Sequence, residues 1–451
     1  MTPVTQEQIM AAEPAGDAAA YLAGAAALAA ERAKRGSDSR VRKVLVCGAG
    51  AMGRDIALAF ANAGRSVVLQ DIVPETLLDA RRGIIRWLDA QVDKGRLSAV
   101  TAKSRMAAIQ FAGKLIPDAT LDMVVEAVPE DLALKQRIMA TLARLAPGQA
   151  ILATNTSTLD IDAIAAATNS PDRVIGTHFF MPAQVTPLLE LVPGRQTAPD
   201  LVDDVMALAL AMAKTPVIAG NADGFIGNRL FDRFHQEAMF LLEEGALPEQ
   251  VDAALERWGY AIGPFRTLDM IGNDIPWTVR KARLQADPDR IQPLIGDILC
   301  ERGWLGQKSG AGWYRYGLGS RRPEPNPRVH ALITQVAGAG RRHVTAEEIV
   351  ARCVATVINE AAKILDEGLA VRGSDIDVVQ VKGYGFPAAR GGPMHFADEV
   401  GLGRIIALME DIRRKAGWKA PLWQPSPLLV KLAASNGRLS EWEAYRAEQT
   451  V

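Results

Sequence analysis

Long hydrophobic runs are missing from this 451-residue chain. The longest, residues 18–30 (AAAYLAGAAALAA), is too short to cross a bilayer and has no basic segment before it, so it reads as a soluble alanine-rich helix. Cysteine is scarce: Cys47, Cys300 and Cys353 stand far apart with no CxxC pair, which excludes a disulfide framework and a structural zinc site. No cluster of His, Cys and carboxylates suggests another metal. An excess of charge of either sign is also absent, with 51 Lys and Arg against 52 Asp and Glu, so nothing drives the whole chain toward nucleic acid or an anionic membrane. A cytoplasmic protein is expected, and residues 448–451 carry no peroxisomal or retention signal. What is present is apolar residue in quantity, 49%, and length for two to four domains at roughly 100–200 residues each.

After the polar stretch 31–42, short apolar runs alternate with amphipathic segments, the signature of an α/β domain. Strands are expected at 43–47, 67–70, 123–126, 151–154, 174–177, 188–192 and 216–219. From Asp223 onward helical periodicity takes over. Residues 321–328, RRPEPNPR, read as a linker, and a second helical block begins near Thr345. The two helical blocks repeat one another. Glu237, EEG at 243–245, Val251-Asp252, WGY ending at Tyr260 and LDMIG ending at Gly272 recur as Glu360, DEG at 366–368, Ile376-Asp377, KGY ending at Tyr384 and ADEVG ending at Gly401. The expected organisation is an N-terminal helix or linker (1–40), an α/β domain (41–222), a first all-α domain (223–320), a linker (321–344) and a second, duplicate all-α domain (345–451).

Residues 44–53, VLVCGAGAMG, place Gly48-x-Gly50-x-x-Gly53 between a strand and a helix. The first glycine permits a tight turn, the second lets backbone approach a pyrophosphate, and the third allows close helix–strand packing. A second strand ends in Asp71, at the spacing of a ribose-binding acid. That carboxylate accepts bonds from ribose hydroxyls and repels a 2′-phosphate, so NAD is expected over NADP and residues 41–222 are expected to form a Rossmann-type NAD-binding domain.

Residues 173–193, RVIGTHFFMPAQVTPLLELVP, hold His178 in one apolar run and Glu190 in the next. As neighbouring strands joined by the 181–187 loop, they bring imidazole and carboxylate face to face, the arrangement of a general base. Upstream, NTSTL at 155–159 follows an apolar strand, so Ser157 projects beyond the carboxyl end of the sheet, where it serves either as a ligand contact or as a helix cap. Downstream, DGFIGNRL puts Asn228 near the start of the first long helix.

Taken together, GAGAMG, VVEAVPE (124–130), NTSTL, THFFMP, DGFIGNRL and GPFRTLD (263–269) resemble the L-3-hydroxyacyl-CoA dehydrogenase family over residues 40–320. LGQKSGAGWYRY (305–316) and KGYGFPAARGGPMHFADEVG (382–401) are similar to the dehydrogenase portion of multifunctional fatty-acid oxidation proteins, and residues 18–35 weakly resemble the linker helix that joins its modules. The resemblance implies NAD-dependent oxidation of (S)-3-hydroxyacyl-CoA, with His178, Glu190, Ser157 and Asn228 catalytic. Gly48, Gly50, Ala51, Met52, Gly53, Asp71, Glu126 and Asn155 hold the cofactor, Glu126 near the nicotinamide ribose. It implies no metal and an acyl-CoA partner; the residues before 18–35 leave no room for the enoyl-CoA hydratase module of the multifunctional proteins, so hydratase activity is not expected. In the second block the place of Asn228 falls at Ala351-Arg352, without an amide, so that copy is expected to supply an internal counterpart to a dimer interface and leave the chain a monomer. Two other readings stay open: a non-catalytic NAD- or acyl-CoA-binding subunit, and a dehydrogenase of a free 3-hydroxy acid. Met181 and Arg54 depart from the family pattern, and Lys94 and Arg96 are either CoA-phosphate contacts or solvated surface.

Overall fold

A computed structural model describes residues 16–443. The expectations placed on residues 1–15 and 448–451 lie outside them. The described chain forms two compact units, one of residues 20–228 with 368–371, the other of the remainder.

The first unit is built on one eight-stranded sheet. Its strands are β1 (Lys43–Cys47), β2 (Ser66–Gln70), β3 (Ile109–Ala112), β4 (Met123–Glu126), β5 (Ile151–Thr154), β6 (Val174–Phe179), β7 (Leu188–Pro193) and β8 (Thr215–Ile218). They lie in the order β3-β2-β1-β4-β5-β6-β7-β8, parallel throughout except for the antiparallel pair β6–β7. β4, β5 and β6 are buried at every residue, as expected of parallel strands covered on both faces. The order reverses between β1 and β4, which opens a crevice beyond their carboxyl ends. The strand β3 escaped the sequence reading because its four residues, IQFA, leave Gln110 exposed and follow a helix without a turn signal. The alanine-rich segment is the helix Ala18–Ala33. Its Ala25, Ala29 and Ala33 are buried at four-residue steps, and no helix among the described residues is long and apolar enough to cross a membrane.

The second unit is helical. Its longest elements are the helices Gly227–Glu243, most of which belongs here, and Ala346–Asp366. The stretch expected as a linker, 321–344, is instead partly regular. Glu324–Pro325 pairs with Tyr314–Arg315, and the helix Pro327–Ala337 starts with proline in its first turn and the Asn326 side chain accepting from the Arg328 N–H. Of the prolines that read as a linker, Pro327 starts a helix and Pro325 lies in the short strand, and Val329, Leu332 and Ile333 bury the apolar stripe of the helix.

The duplication is visible in the hydrogen bonds. Asp252 accepts from the Phe265 and Arg266 N–H groups at 2.9 and 3.1 Å, and Asp377 accepts from Met394 and His395 at 2.7 and 3.1 Å. Asp269 accepts from Trp313 and Tyr314 at 3.0 and 2.9 Å, and Asp398 from Leu439 and Ser440 at 2.8 and 2.9 Å. The copies also grip each other reciprocally. Arg229 donates through Nε to Glu360 at 2.6 Å and through its fork to Glu367 at 2.5 and 2.7 Å. Arg352 donates through Nε to Glu237 at 2.8 Å and through its fork to Glu244 at 2.7 and 2.9 Å. One constant offset converts the first set of residues into the second, the internal equivalent of a two-fold interface.

Candidate active site

The site grows from the carboxyl ends of the sheet. Gly48 follows β1 with φ of +102°, and a Cβ there would lie 2.6 Å from the Ala127 carbonyl oxygen. A Cβ on Gly53 would lie 1.8 Å from the Gly48 carbonyl oxygen, whereas one on Gly50 would meet nothing within 4 Å. The outer glycines are thus required by packing, and the middle one leaves open backbone in front of the helix Ala51–Asn62, whose first residues are Ala51 and Met52. Asp71, just past β2, takes the Ala49 N–H at 2.8 Å on one oxygen and the Val73 N–H at 3.0 Å on the other. This cradle fits a dinucleotide. Arg54 points elsewhere: its guanidinium donates to Asp55 at 2.8 Å and packs where a Cβ on Gly83 would be.

The antiparallel register sets His178 opposite Glu190. His178 Nδ1 and Glu190 Oε2 are 2.7 Å apart, and Glu190 Oε1 accepts the Gly227 N–H at 2.9 Å. Glu190 is fully buried and His178 is 6% exposed. With Nδ1 committed to the carboxylate, Nε2 is the nitrogen left for chemistry, and Phe180 and Phe225 flank the ring at centroid distances of 4.4 and 5.8 Å. Asn155, after β5, accepts the Phe179 N–H at 2.9 Å and so ties the NTSTL turn to the histidine strand. Asn228 Nδ2 donates to the Ser157 carbonyl oxygen at 3.2 Å, which brings Asn228 and the Ser157 turn together.

Glu126 does not occupy the place assigned to it. It is fully buried at the end of β4, where one oxygen takes the Val128 N–H at 2.7 Å and Lys135 Nζ at 2.8 Å, and the other takes the Thr154 hydroxyl at 2.6 Å. No oxygen remains turned toward a ribose. The carboxylate at the site is Glu130, unnoticed in the sequence: its Oε1 accepts from the Ser157 N–H at 2.8 Å and from the Ser157 hydroxyl at 3.1 Å, and from the Thr156 hydroxyl at 2.7 Å. Burial raises the Glu130 carboxyl, but Lys135 and these donors outweigh it and hold the group below its ordinary value. A signal for Lys135 was available. It shares the buried stripe of the helix Leu132–Leu145 with Met139 and Leu142, at steps of four and three, where a lysine is out of place unless it is paired.

The loop between β6 and β7 is held from below by Lys214. This lysine is buried and donates to the carbonyl oxygens of Ala183 and Thr186. Met181 on the same loop is 59% exposed. Lys94 and Arg96 are exposed. Burial pushes the Lys214 ammonium from 10.5 down to about 8. Between those values the unfolded chain keeps a proton that the folded chain has released, so stability attributable to Lys214 rises as pH climbs through the window. In urea unfolding, the wild type's advantage over Lys214→Met is therefore expected to be larger at pH about 10 than at about 7. An advantage that shrinks on going alkaline contradicts this.

Comparisons with known proteins agree with the geometry. The chain matches the 3-hydroxyacyl-CoA dehydrogenase NAD-binding domain over residues 43–222 and the C-terminal domain of the same enzymes twice, over 224–316 and 349–446. It is 38% identical to the peroxisomal bifunctional enzyme of Cavia porcellus over 423 residues, which is 90% of this chain and 58% of that one. The chain thus spans less than two thirds of the curated relatives of this kind. Among solved structures it is similar to 3-hydroxybutyryl-CoA dehydrogenase from Escherichia coli K12, at 29% identity and a TM-score of 0.75, covering 88% of this chain and 98% of that one. It is also similar to (S)-3-hydroxybutyryl-CoA dehydrogenase from Ralstonia eutropha, at 33% identity and a TM-score of 0.58, covering 61% and 99%. The expected cytoplasmic location is overturned here, because the curated relatives are named as peroxisomal or glyoxysomal. Near-neutral charge and few cysteines suit a peroxisomal enzyme equally, so neither could decide the compartment.

Proposed function

Because this chain belongs to the 3-hydroxyacyl-CoA dehydrogenase family, we propose that it oxidises (S)-3-hydroxyacyl-CoA to 3-ketoacyl-CoA with NAD, reversibly. The observation that carries the reading is the buried His178–Glu190 pair at 2.7 Å. NAD, when bound, supplies the hydride acceptor for C3 of the substrate. His178 takes the hydroxyl proton at Nε2 while Glu190 holds the Nδ1 proton and offsets the charge gained by the ring. Ser157 and Asn228 align the reacting oxygen, and Glu130 fixes the Ser157 turn. Gly48, Gly50, Gly53 and Asp71 serve the dinucleotide.

The test is NADH oxidation with acetoacetyl-CoA and with a long-chain 3-ketoacyl-CoA, beside the free 3-keto acid. Turnover of a thioester well above that of the free acid is expected. No turnover of either thioester by protein that binds NADH would leave a binding subunit, and preference for the free acid would move the substrate class.

We infer further that the chain corresponds to the dehydrogenase portion of a multifunctional protein. The reciprocal Arg229 and Arg352 clusters, which join the two all-α copies that we set at 223–320 and 345–451, support that reading. Sedimentation is expected to give a single chain of 48.4 kDa; a tight dimer overturns that assignment.

A further inference from the structure

The second helical copy has no counterpart of Asn228, yet the segment that carries Asn228 is bonded at each end to the turn that follows the helix Ala346–Asp366, where residues 368–371 belong to the sheet unit. At one end, the Gly220 N–H donates to the Leu369 carbonyl oxygen at 2.7 Å, and the approach is so close that a Cβ on Gly220 would lie 2.9 Å from Leu369 Cα. At the other end Arg229, next to Asn228 in the same helical turn, is forked onto Glu367 at 2.5 and 2.7 Å and bonded to Glu360 at 2.6 Å. Glu367 and Leu369 flank Gly368, whose φ of +74° turns the chain sharply after the helix Ala346–Asp366. Between the two anchored ends lie the groups the site depends on. The Gly227 N–H holds Glu190, Asn228 reaches the Ser157 turn, and Phe225 flanks His178 with φ of +48°, a conformation a phenylalanine keeps only when its surroundings impose it.

We propose that the turn Glu367-Gly368-Leu369 is a positioning element of the active site, which fixes both ends of residues 220–229 and so sets Gly227 against Glu190 and Asn228 at Ser157. This rests on the dehydrogenase reading for its kinetic consequence but not for its structural one. The repeat provides an internal control. Arg352 forks onto Glu244 just as Arg229 forks onto Glu367, but the residues before Arg352 lie inside the helix Ala346–Asp366 and carry no site group. Both clusters join the same two copies, but Glu244 also takes Arg342 and Lys419, so a contribution to copy–copy packing alone would make its loss the costlier of the two. Glu367 is the more exposed of the two acids, with its side chain 48% exposed against 19% for Glu244, so its pair adds little to stability and its loss leaves the fold intact.

Glu367→Gln and Glu244→Gln are compared in the full chain. For Glu367→Gln, kcat for acetoacetyl-CoA reduction is expected to fall about tenfold, with KM for NADH unchanged and part of kcat recovered in Glu367→Asp, whereas Glu244→Gln keeps its kcat. Amide hydrogen exchange over residues 220–228 is expected to accelerate in Glu367→Gln and not in Glu244→Gln. Equal kcat losses in the two Gln variants, a Glu367→Gln kcat within twofold of wild type, or unchanged exchange over 220–228 overturn the proposal. If the wild type turns over no thioester, the dehydrogenase reading has failed and the exchange comparison alone decides whether the turn holds the segment.

Discussion

An alanine at position 178 is expected to lower kcat for 3-ketoacyl-CoA reduction by about 10³-fold, with NADH affinity unchanged within about twofold. The size follows from what is removed. Without the imidazole no group at Nε2 gives up or takes the proton, and water must do so from an unfixed position. The dinucleotide cradle, Gly48 to Gly53 with Asp71, stands on β1 and β2 and makes no use of the ring, so binding survives. Glu190 is left buried with the Gly227 N–H as its remaining partner in this pair of bonds. Glu190→Gln keeps the shape and one acceptor but loses the charge that offsets an imidazolium, so it is expected to cost about 10²-fold in kcat. Stopped-flow rates and NADH fluorescence titration measure both quantities. A His178→Ala kcat within about tenfold of wild type assigns the proton to another group.

The parts of this site that could be read in the sequence are those where spacing dictates geometry. Strand period places His178 and Glu190 opposite each other once β6 and β7 pair, and glycine spacing dictates the turn at Gly48–Gly53. The acids in VVEAVPE are a different case. Glu126 and Glu130 are four residues apart at the point where a strand becomes a loop, and periodicity does not say which carboxylate is swallowed by the sheet. Lys135 decides it, by drawing Glu126 into the interior from the following helix, an interaction between elements that a residue pattern does not encode. The strand β3 was illegible for a related reason: its order comes from pairing with β2 and not from its own composition. The bond from Arg229 to Glu367 is likewise tertiary, although the repeat of EEG as DEG marks the acid that receives it.

Lys135→Met is expected to destabilise the chain by about 3–5 kcal/mol in urea unfolding, the largest single-residue loss of stability predicted here. Lys135 is 1% exposed, and its Nζ lies 2.8 and 3.1 Å from the Glu126 oxygens and 3.1 Å from the Val128 carbonyl oxygen. Removing the cation leaves a fully buried carboxylate with only the Thr154 hydroxyl and the Val128 N–H, which is costlier than removing both charges. The double variant Lys135→Met with Glu126→Gln is therefore expected to recover at least half of the loss, because the amide keeps an acceptor for Thr154 and needs no counter-charge. Activity is expected not to follow stability back. Lys135 also lies 3.4 Å from Glu130 and helps to keep that carboxyl ionised against the Ser157 turn, so the double variant regains its fold while the Ser157 turn loses its electrostatic anchor and kcat stays low. Recovery of both together would make Lys135 a purely structural cation, and recovery of neither would mean that Glu126, not its pairing, is what the fold requires.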